Sequence, residues 1–492
     1  MANDPWAGVP RSFVRRSWQQ VLRRKGANLY PNVGNRNPYV NICTVRGAYI
    51  RLYAGESRGC ESASFSHPGR SSATLSKLNP HIRGRKMAEE NHETALSRRE
   101  ILAAGGALAA AGFLMAQDAT SAENNPGVQA ADRGSNIKIS ALKAFPTGAK
   151  CFIRIDTDQN VRGWGEVTGS DPNVAAALAE SFFELLDREN PTRVEHLWQK
   201  LYRAHRDMRG GPLITHVIAA IDMALWDITG KHWGVPVYRL LGGPCRDKIR
   251  MYPTPKAHKA GTGGPHPLSG DPKDIKQLVS MVENARKMVG PDGCVMFDAH
   301  CAIPPATLIQ FANAIEPFDI LFLEEVAVPG NIDQFIRLKQ QIRIPMATGE
   351  RDRTIWEMLP YLTNRCIDIL QPDVGHTGGI SQVKKIATLA EAFFVPLAPH
   401  NTCSELGLTA GLHAAASVPF LLIHEGYLDG HIMPPGVARK NWEIDKDGYA
   451  SLPQGPGLGV EMDEAAMAKV AADPRKKYKW PSAKYQDGSV RD

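Results

Sequence analysis

Between residues 293 and 425, six apolar runs (GCVMFD, DILFLE, IPMATGE, IDILQPD, VPLAPH and FLLIHE) each end on a titratable side chain. Those end residues are Asp298, Glu324, Glu350, Asp373, His400 and Glu425, separated by 26, 26, 23, 27 and 25 residues. Near-continuous apolar runs alternating with helical stretches are the pattern of parallel strands buried on both faces. Five or more such steps, each the length of one βα unit, point to a closed barrel. Residues at the C-terminal ends of barrel strands converge above the axis, where active sites of this architecture lie. One such acid would be an ordinary solvated loop residue. Six in register predict a site.

The rest of the chain sets the frame around this barrel. At 492 residues, 43% apolar and 22% charged, it has ample material for two or three domains and is not disordered, collagen-like or a coiled coil. The formal charge of +7 is unevenly placed, because residues 1–86 hold 15 Lys+Arg against 3 Asp+Glu, which leaves the remaining 406 residues at −5. A mildly acidic body does not call for a nucleic-acid partner. Residues 1–86 show no sustained helical or strand period and read as a non-native or disordered extension, or else as a transit-type segment. From Met87 to Ala122 a charged start, an Ala/Gly/Leu middle and a small-residue exit follow one another. Ser97-Arg98-Arg99-Glu100-Ile101-Leu102 within it resembles the twin-arginine export motif, so an exported, periplasmic or otherwise extracytoplasmic protein is expected, with no membrane span after processing. The six cysteines after that segment show no paired spacing and read as buried thiols. Residues 136–245 open with strands, including Cys151–Ile155 and a hairpin ending at Gly163-Trp164-Gly165-Glu166. Helical patterns over 173–186, 193–202 and 213–233 complete an α+β unit. The barrel is assigned to 246–425 and a C-terminal segment, returning to the first unit, to 426–492.

The strand-end residues carry a chemistry. Asp298, Glu324 and Glu350 on successive strands make an all-oxygen site for a hard cation, and Mg²⁺ suits it best. Glu325 also follows a strand, but neighbouring strand residues point oppositely, and the 26-residue phase selects Glu324. His300, two residues after Asp298, is expected on the same strand face. His400 lies one strand beyond Asp373, and a carboxylate beside an imidazole orients the ring and raises its basicity.

These residues resemble the enolase superfamily, in its mandelate racemase/muconate lactonizing enzyme branch, over about residues 137–427. The likeness rests on GWGE (163–166), IDMALWDITGK (221–231) and LLGG (240–243), then on FDAH (297–300), LEE (323–325), ATGER (347–351), QPD (371–373), HTGGI (376–380) and APH (398–400). Within the branch, Asp298-Ala299-His300 and the step from His400 to Glu425 most resemble galactonate dehydratase and related acid-sugar dehydratases. The resemblance implies a modified TIM-type (β/α)7β barrel with an α+β capping domain. It also implies Mg²⁺ at Asp298, Glu324 and Glu350, His400–Asp373 as base dyad, His300 as acid to the leaving hydroxyl, and Glu425 near the substrate. A small sugar-acid substrate and a homo-oligomer are expected with it.

One stretch departs from the pattern. Only 48 residues separate Arg250 from Asp298, where two regular βα units and a strand need roughly 55 to 65. The interval PTPKAHKAGTGGPHPLSGDP is loop-like, and no second-strand lysine of the branch can be matched in it. Lys256, His258, Lys259 and His266 are its basic candidates, with Lys256 and His258 taken as substrate contacts. The activity expected is dehydration of an aldonate to a 2-keto-3-deoxy acid. A racemase or epimerase of a 2-hydroxy acid, and a non-catalytic sensor on the same fold, stand as rivals.

Overall fold

The computed structural model describes residues 136–479, apart from 205, 262–269 and 427–435, together with four short strands between 40 and 53 and between 483 and 491. The chain divides into two units at Leu96 and Ser97. In the first, β1 (Val40–Val45) pairs antiparallel with β2 (Ala48–Tyr53), a hairpin in a stretch where the sequence shows no strand period. The expected export signal, residues 87–122, lies outside the described residues.

The second unit begins with an antiparallel meander of β3 (Ile139–Thr147), β4 (Lys150–Thr157) and β5 (Arg162–Val167). The GWGE motif is therefore a third strand, where the sequence suggested the end of a hairpin. Its two glycines have a steric cause: a Cβ at Gly163 would meet the Ala224 carbonyl oxygen at 2.0 Å, and one at Gly165 that of Ala220 at 1.8 Å. Without side chains on that face, the strand packs backbone to backbone on α3 (Pro212–Trp233). Before α3 come α1 (Pro172–Ser181), whose N-terminus is capped by the Asp171 carboxylate, and α2 (Val194–Ala204), which buries Leu197, Trp198 and Leu201 at helical spacing.

The barrel follows. Its strands are β6 (Lys248–Tyr252), β7 (Ala257–Ala260), β8 (Cys294–Asp298), β9 (Ile320–Glu324), β10 (Met346–Thr348), β11 (Ile369–Leu370), a single-residue bridge at Leu397, and β12 (His424–Glu425). Pairing from β7 to β11 is parallel throughout, and β12 closes the ring on β6 through His424–Met251 and Glu425–Tyr252. The helices outside it are α4 (Pro272–Val289), α5 (Pro305–Ile315), α6 (Ile332–Lys339), α7 (Thr354–Thr363), α8 (Ile380–Ala392) and α9 (Glu405–Ala416). Four residues and no helix join β6 to β7, which accounts for the short interval between Arg250 and Asp298. After the barrel, β13 (Ala438–Arg439) and β14 (Tyr449–Ser451) follow, and β14 adds antiparallel to β6. The barrel interior is filled by Tyr252, Ala257, Met296, Phe322, Ala347, Ile369, Ala398 and Ile423, one residue from each of eight strand positions.

Buried carboxylates from the first domain tie it to the barrel. Asp222 on α3 accepts from the N–H (3.0 Å) and Oγ (2.5 Å) of Ser381 at the start of α8. Glu166 on β5 accepts from Ser404 N (2.8 Å), Ser404 Oγ (2.7 Å) and Gly407 N (3.1 Å) at the start of α9. A carboxylate at a helix N-terminus satisfies orphan N–H groups and suits the helix dipole. Asp227 accepts from Trp164 N and Leu458 N and pairs with Lys231. The six cysteines from Cys151 onwards are free thiols; Cys151, Cys366 and Cys403 are buried as expected, whereas Cys294 and Cys301 are only half-buried and Cys245 is exposed.

His413 on α9 is fully buried, with Nε2 3.0 Å from the Leu458 carbonyl and Nδ1 accepting from Tyr238 N. Burial pushes its pKa down to about 4. The unfolded chain, at roughly 6.5, therefore binds the proton first, and stability is lost as pH falls from about 6.5 towards 4. Between pH 6.5 and 5 this residue is expected to cost about 2 kcal/mol. In urea unfolding at pH 7.5 and 5.0, His413→Gln should shrink the difference between the two pH values by about that much; an unchanged difference would refute the assignment.

Candidate active site

Strand phase delivers the expected carboxylates to one place. Asp298 and Glu324 end β8 and β9 as register partners, and Glu350 follows β10 after Gly349, whose φ of +135° few other residues could adopt. Glu425 ends β12, while Asp373 and His400 follow β11 and the Leu397 bridge. All six are buried.

The His400–Asp373 pair is formed as the sequence suggests. Nδ1 of His400 donates to Asp373 Oδ2 at 2.8 Å, so Nε2 faces Glu350 Oε2 at 3.4 Å and Glu425 Oε2 at 3.7 Å. Burial opposes the charged ring, yet Glu350, Glu425 and Asp373 hold its pKa well above the ordinary histidine value. Burial would likewise raise Asp373, but His376, His400 and the Gly375 N–H keep its carboxyl well below the usual range. His376, unassigned from sequence, braces the same corner. Its Nδ1 lies 2.9 Å from the Glu350 carbonyl and its Nε2 3.1 Å from Thr402 Oγ1, and its ring stacks on His216 of α3 at 4.4 Å.

Three expectations are corrected. His300 does not share a strand face with Asp298, because β8 ends at Asp298 and His300 sits in a turn with φ +50°. Its N–H donates to Asp298 Oδ1 at 2.8 Å, and this turn carries the ring to Glu325 and Glu350, with ligand atoms of all three within 4.8 Å of one another. Glu325 is also not turned away. The strand ends at Glu324, and Glu325 at φ +47° escapes the alternation that would have sent it outward. Its carboxylate grips Arg351, with Nε–Oε1 2.7 Å and Nη2–Oε2 2.8 Å. A sequence signal existed, since Glu325 and Arg351 repeat the 26-residue interval one position later.

The third correction concerns the second strand. Lys256 is exposed, and His258 pairs in register with Val295, a member of the cluster between barrel and helices. Lys259 pairs with Met296 of the interior cluster, so alternation along β7 sends it inward and His258 outward. Neither Lys256 nor His258 is brought to the site, and His266 lies outside the described residues. Lys259 is the inward base on strand two. Its Nζ lies 2.8 Å from Glu425 Oε1, 2.9 Å from Glu324 Oε1 and 3.7 Å from Asp298 Oδ2. Burial opposes its charge, but these carboxylates hold its pKa well above the ordinary lysine value.

The acids outnumber the cations. Asp298, Glu324, Glu325, Glu350, Asp373 and Glu425 face Lys259, Arg351 and His400. Burial pushes Glu350 up to about 7 and Glu324 well above its ordinary value. Glu324 Oε2 and Glu350 Oε2 are buried and accept no hydrogen bond among the described residues. Buried, crowded carboxylate oxygens left without a hydrogen bond fit a hard divalent cation. Groups able to hold one include Glu324, His400 and Glu425, as well as His300, Glu325 and Glu350.

Comparison with known proteins covers most of this body. Residues 134–242 match the mandelate racemase/muconate lactonizing enzyme N-terminal domain, and residues 249–466 the enolase C-terminal domain-like family. The chain is 35% identical over 389 residues to a D-galactonate dehydratase of Ralstonia nicotianae, covering 72% of this chain and 100% of that protein. A D-galactonate dehydratase family member of Streptomyces bingchenggensis is 31% identical over 409 residues, covering 72% and 97%. Among solved structures, an enolase of Agrobacterium radiobacter with Na and L-malate bound matches at TM-score 0.64 and 31% identity, over 72% of this chain and 99% of that one. The 3,6-anhydro-D-galactonate cycloisomerase of Zobellia galactanivorans matches at TM-score 0.62 and 28% identity, over 68% and 99%.

Proposed function

The chain belongs to the mandelate racemase/muconate lactonizing enzyme branch of the enolase superfamily, and from that premise we propose that it is a hydro-lyase that dehydrates a sugar acid. The observation that carries this reading is a pair of histidines flanking one carboxylate. Glu350 lies 3.4 Å from the Nε2 of His400 and in one cluster with the ring of His300. A base and an acid held apart across a charged centre suit removal of a proton from C2 and of a hydroxyl from C3. Relatives named D-galactonate dehydratase support an aldonate as substrate.

Only the neutral ring of His400 can take the C2 proton at Nε2, with Nδ1–H fixed on Asp373 so that the ring keeps the needed tautomer; the surrounding carboxylates favour the charged ring, and a bound divalent cation would offset them. Asp298, Glu324 and Glu350 would hold Mg²⁺, which supplies positive charge for the substrate oxygens as that proton leaves. Lys259 offsets part of the negative charge of Glu324 and Glu425 and holds both side chains in place. His300 then protonates the departing 3-hydroxyl. His300→Asn is expected to slow elimination by ~10²–10⁴-fold while C2 exchange in D2O continues. Loss of exchange in that variant, with exchange intact in His400→Asn, would reverse the acid and the base.

Lys259 favours a second reading, racemisation at C2, because it places a basic residue on strand two. Against this, its ammonium is shared by three carboxylates, which hold it as a cation. Incubating the protein with Mg²⁺ and a panel of sugar acids that includes D-galactonate separates the readings. A 2-keto-3-deoxy product supports the dehydratase, inversion at C2 without elimination the racemase, and no turnover of any acid refutes both.

A further inference from the structure

Lys150 opens β4 in the capping domain and is buried, an uncommon place for a lysine. Its Nζ donates to the Thr402 carbonyl and, at 2.9 Å, to Thr168 Oγ1, which itself reaches the same carbonyl at 3.2 Å. Among the described residues its carboxylate partner is Glu166, 3.6 Å away and already hydrogen-bonded to the start of α9. A buried ammonium with so loose an ion pair is a poor contributor to stability. It is well placed for something else. The far side of Thr402 faces the base: its N–H and Oγ1 donate to Asp373 Oδ2 at 2.9 and 3.0 Å, the same oxygen that receives His400 Nδ1. A continuous chain of hydrogen bonds therefore runs from the cap to the catalytic imidazole.

We propose that Lys150 is a positioning residue for the His400–Asp373 dyad, acting through Thr402. By holding the Thr402 carbonyl from behind, it fixes two donors on Asp373 Oδ2 and so fixes the direction in which that oxygen accepts from His400. Lys150 touches no reacting atom. The inference rests on the reading of His400 as the base, and its test is chosen to fail separately from that reading.

In full-length protein supplied with Mg²⁺, Lys150→Met is expected to lower C2 exchange and kcat together, by about 10- to 100-fold, with KM within about twofold. Lys150→Arg, which can still donate to Thr402, should recover most of the loss. Thr402→Val should give the same defect, and the Lys150→Met/Thr402→Val double variant should be no worse than either alone. The low-field proton resonance of His400 Nδ1–H, identified by its loss in His400→Asn, should move in Lys150→Met and return in Lys150→Arg. That signal needs no substrate, so it tests the positioning even if no sugar acid turns over. An unmoved resonance, an unchanged kcat per folded molecule in Lys150→Met, or defects of the two single variants that add in the double variant would each overturn the proposal.

Discussion

His400→Asn is expected to abolish dehydration and C2 exchange together. The C2 proton of an ionised sugar acid is a very weak acid, so its removal needs a base held in place and kept in the right tautomer. His400 meets both conditions through one contact, the 2.8 Å hydrogen bond from Nδ1 to Asp373. Asparagine preserves roughly the size of the ring's inner half and can still reach Asp373, but it has no basic nitrogen to present. The loss should exceed about 10³-fold, near the upper range for a general base. Asp373→Asn should weaken the same step less severely, since the ring loses its anion but keeps its basic atom. Exchange persisting in His400→Asn at the wild-type rate would remove this residue from the mechanism.

Glu324→Gln is expected to lose metal and activity as one event. Glu324 is fully buried among Asp298, Glu350 and Glu425, with one oxygen on Lys259 and the other unpartnered. An amide there removes a negative charge and turns a donor towards oxygens that need a cation. Lewis-acid stabilisation is worth several kcal/mol, so activity should fall on the order of 10³-fold or more. Metal content measured on the purified variant should drop in parallel. Chelation of the wild-type protein should mimic the variant, and Mg²⁺ should restore the wild type alone. A variant active without metal would refute the assignment.

How much of this site could be read from the chain depended on where barrel phase could be carried. Asp298, Glu324, Glu350, Asp373, His400 and Glu425 were legible because a closed barrel ties position along the chain to position around the axis. The count failed between β6 and β7. There the missing helix breaks the interval of about 25 residues, so Lys259 could not be told from Lys256 or His258. Glu325 and His300 were misplaced for a related reason. Both were assigned by strand alternation, yet each lies just past the end of its strand at positive φ, where alternation no longer applies. The purposes of GWGE and IDMALWDITGK could not be read at all. Their glycines and carboxylates answer to partners far along the chain, Gly165 to Ala220 and Asp222 to Ser381.

Those last contacts bear on how the protein can be dissected. Family boundaries fall between residues 242 and 249, and they invite separate expression of the two halves. Cutting there would leave Asp222 and Glu166 as buried acids stripped of their hydrogen-bond donors on one fragment, and Asp227 without its Leu458 donor. On the other, α8 and α9 would begin without the carboxylates that receive their first N–H groups. The two family regions are thus interlocked by buried polar contacts. The isolated barrel should be a poor starting point for engineering, and the intact body should melt in a single step.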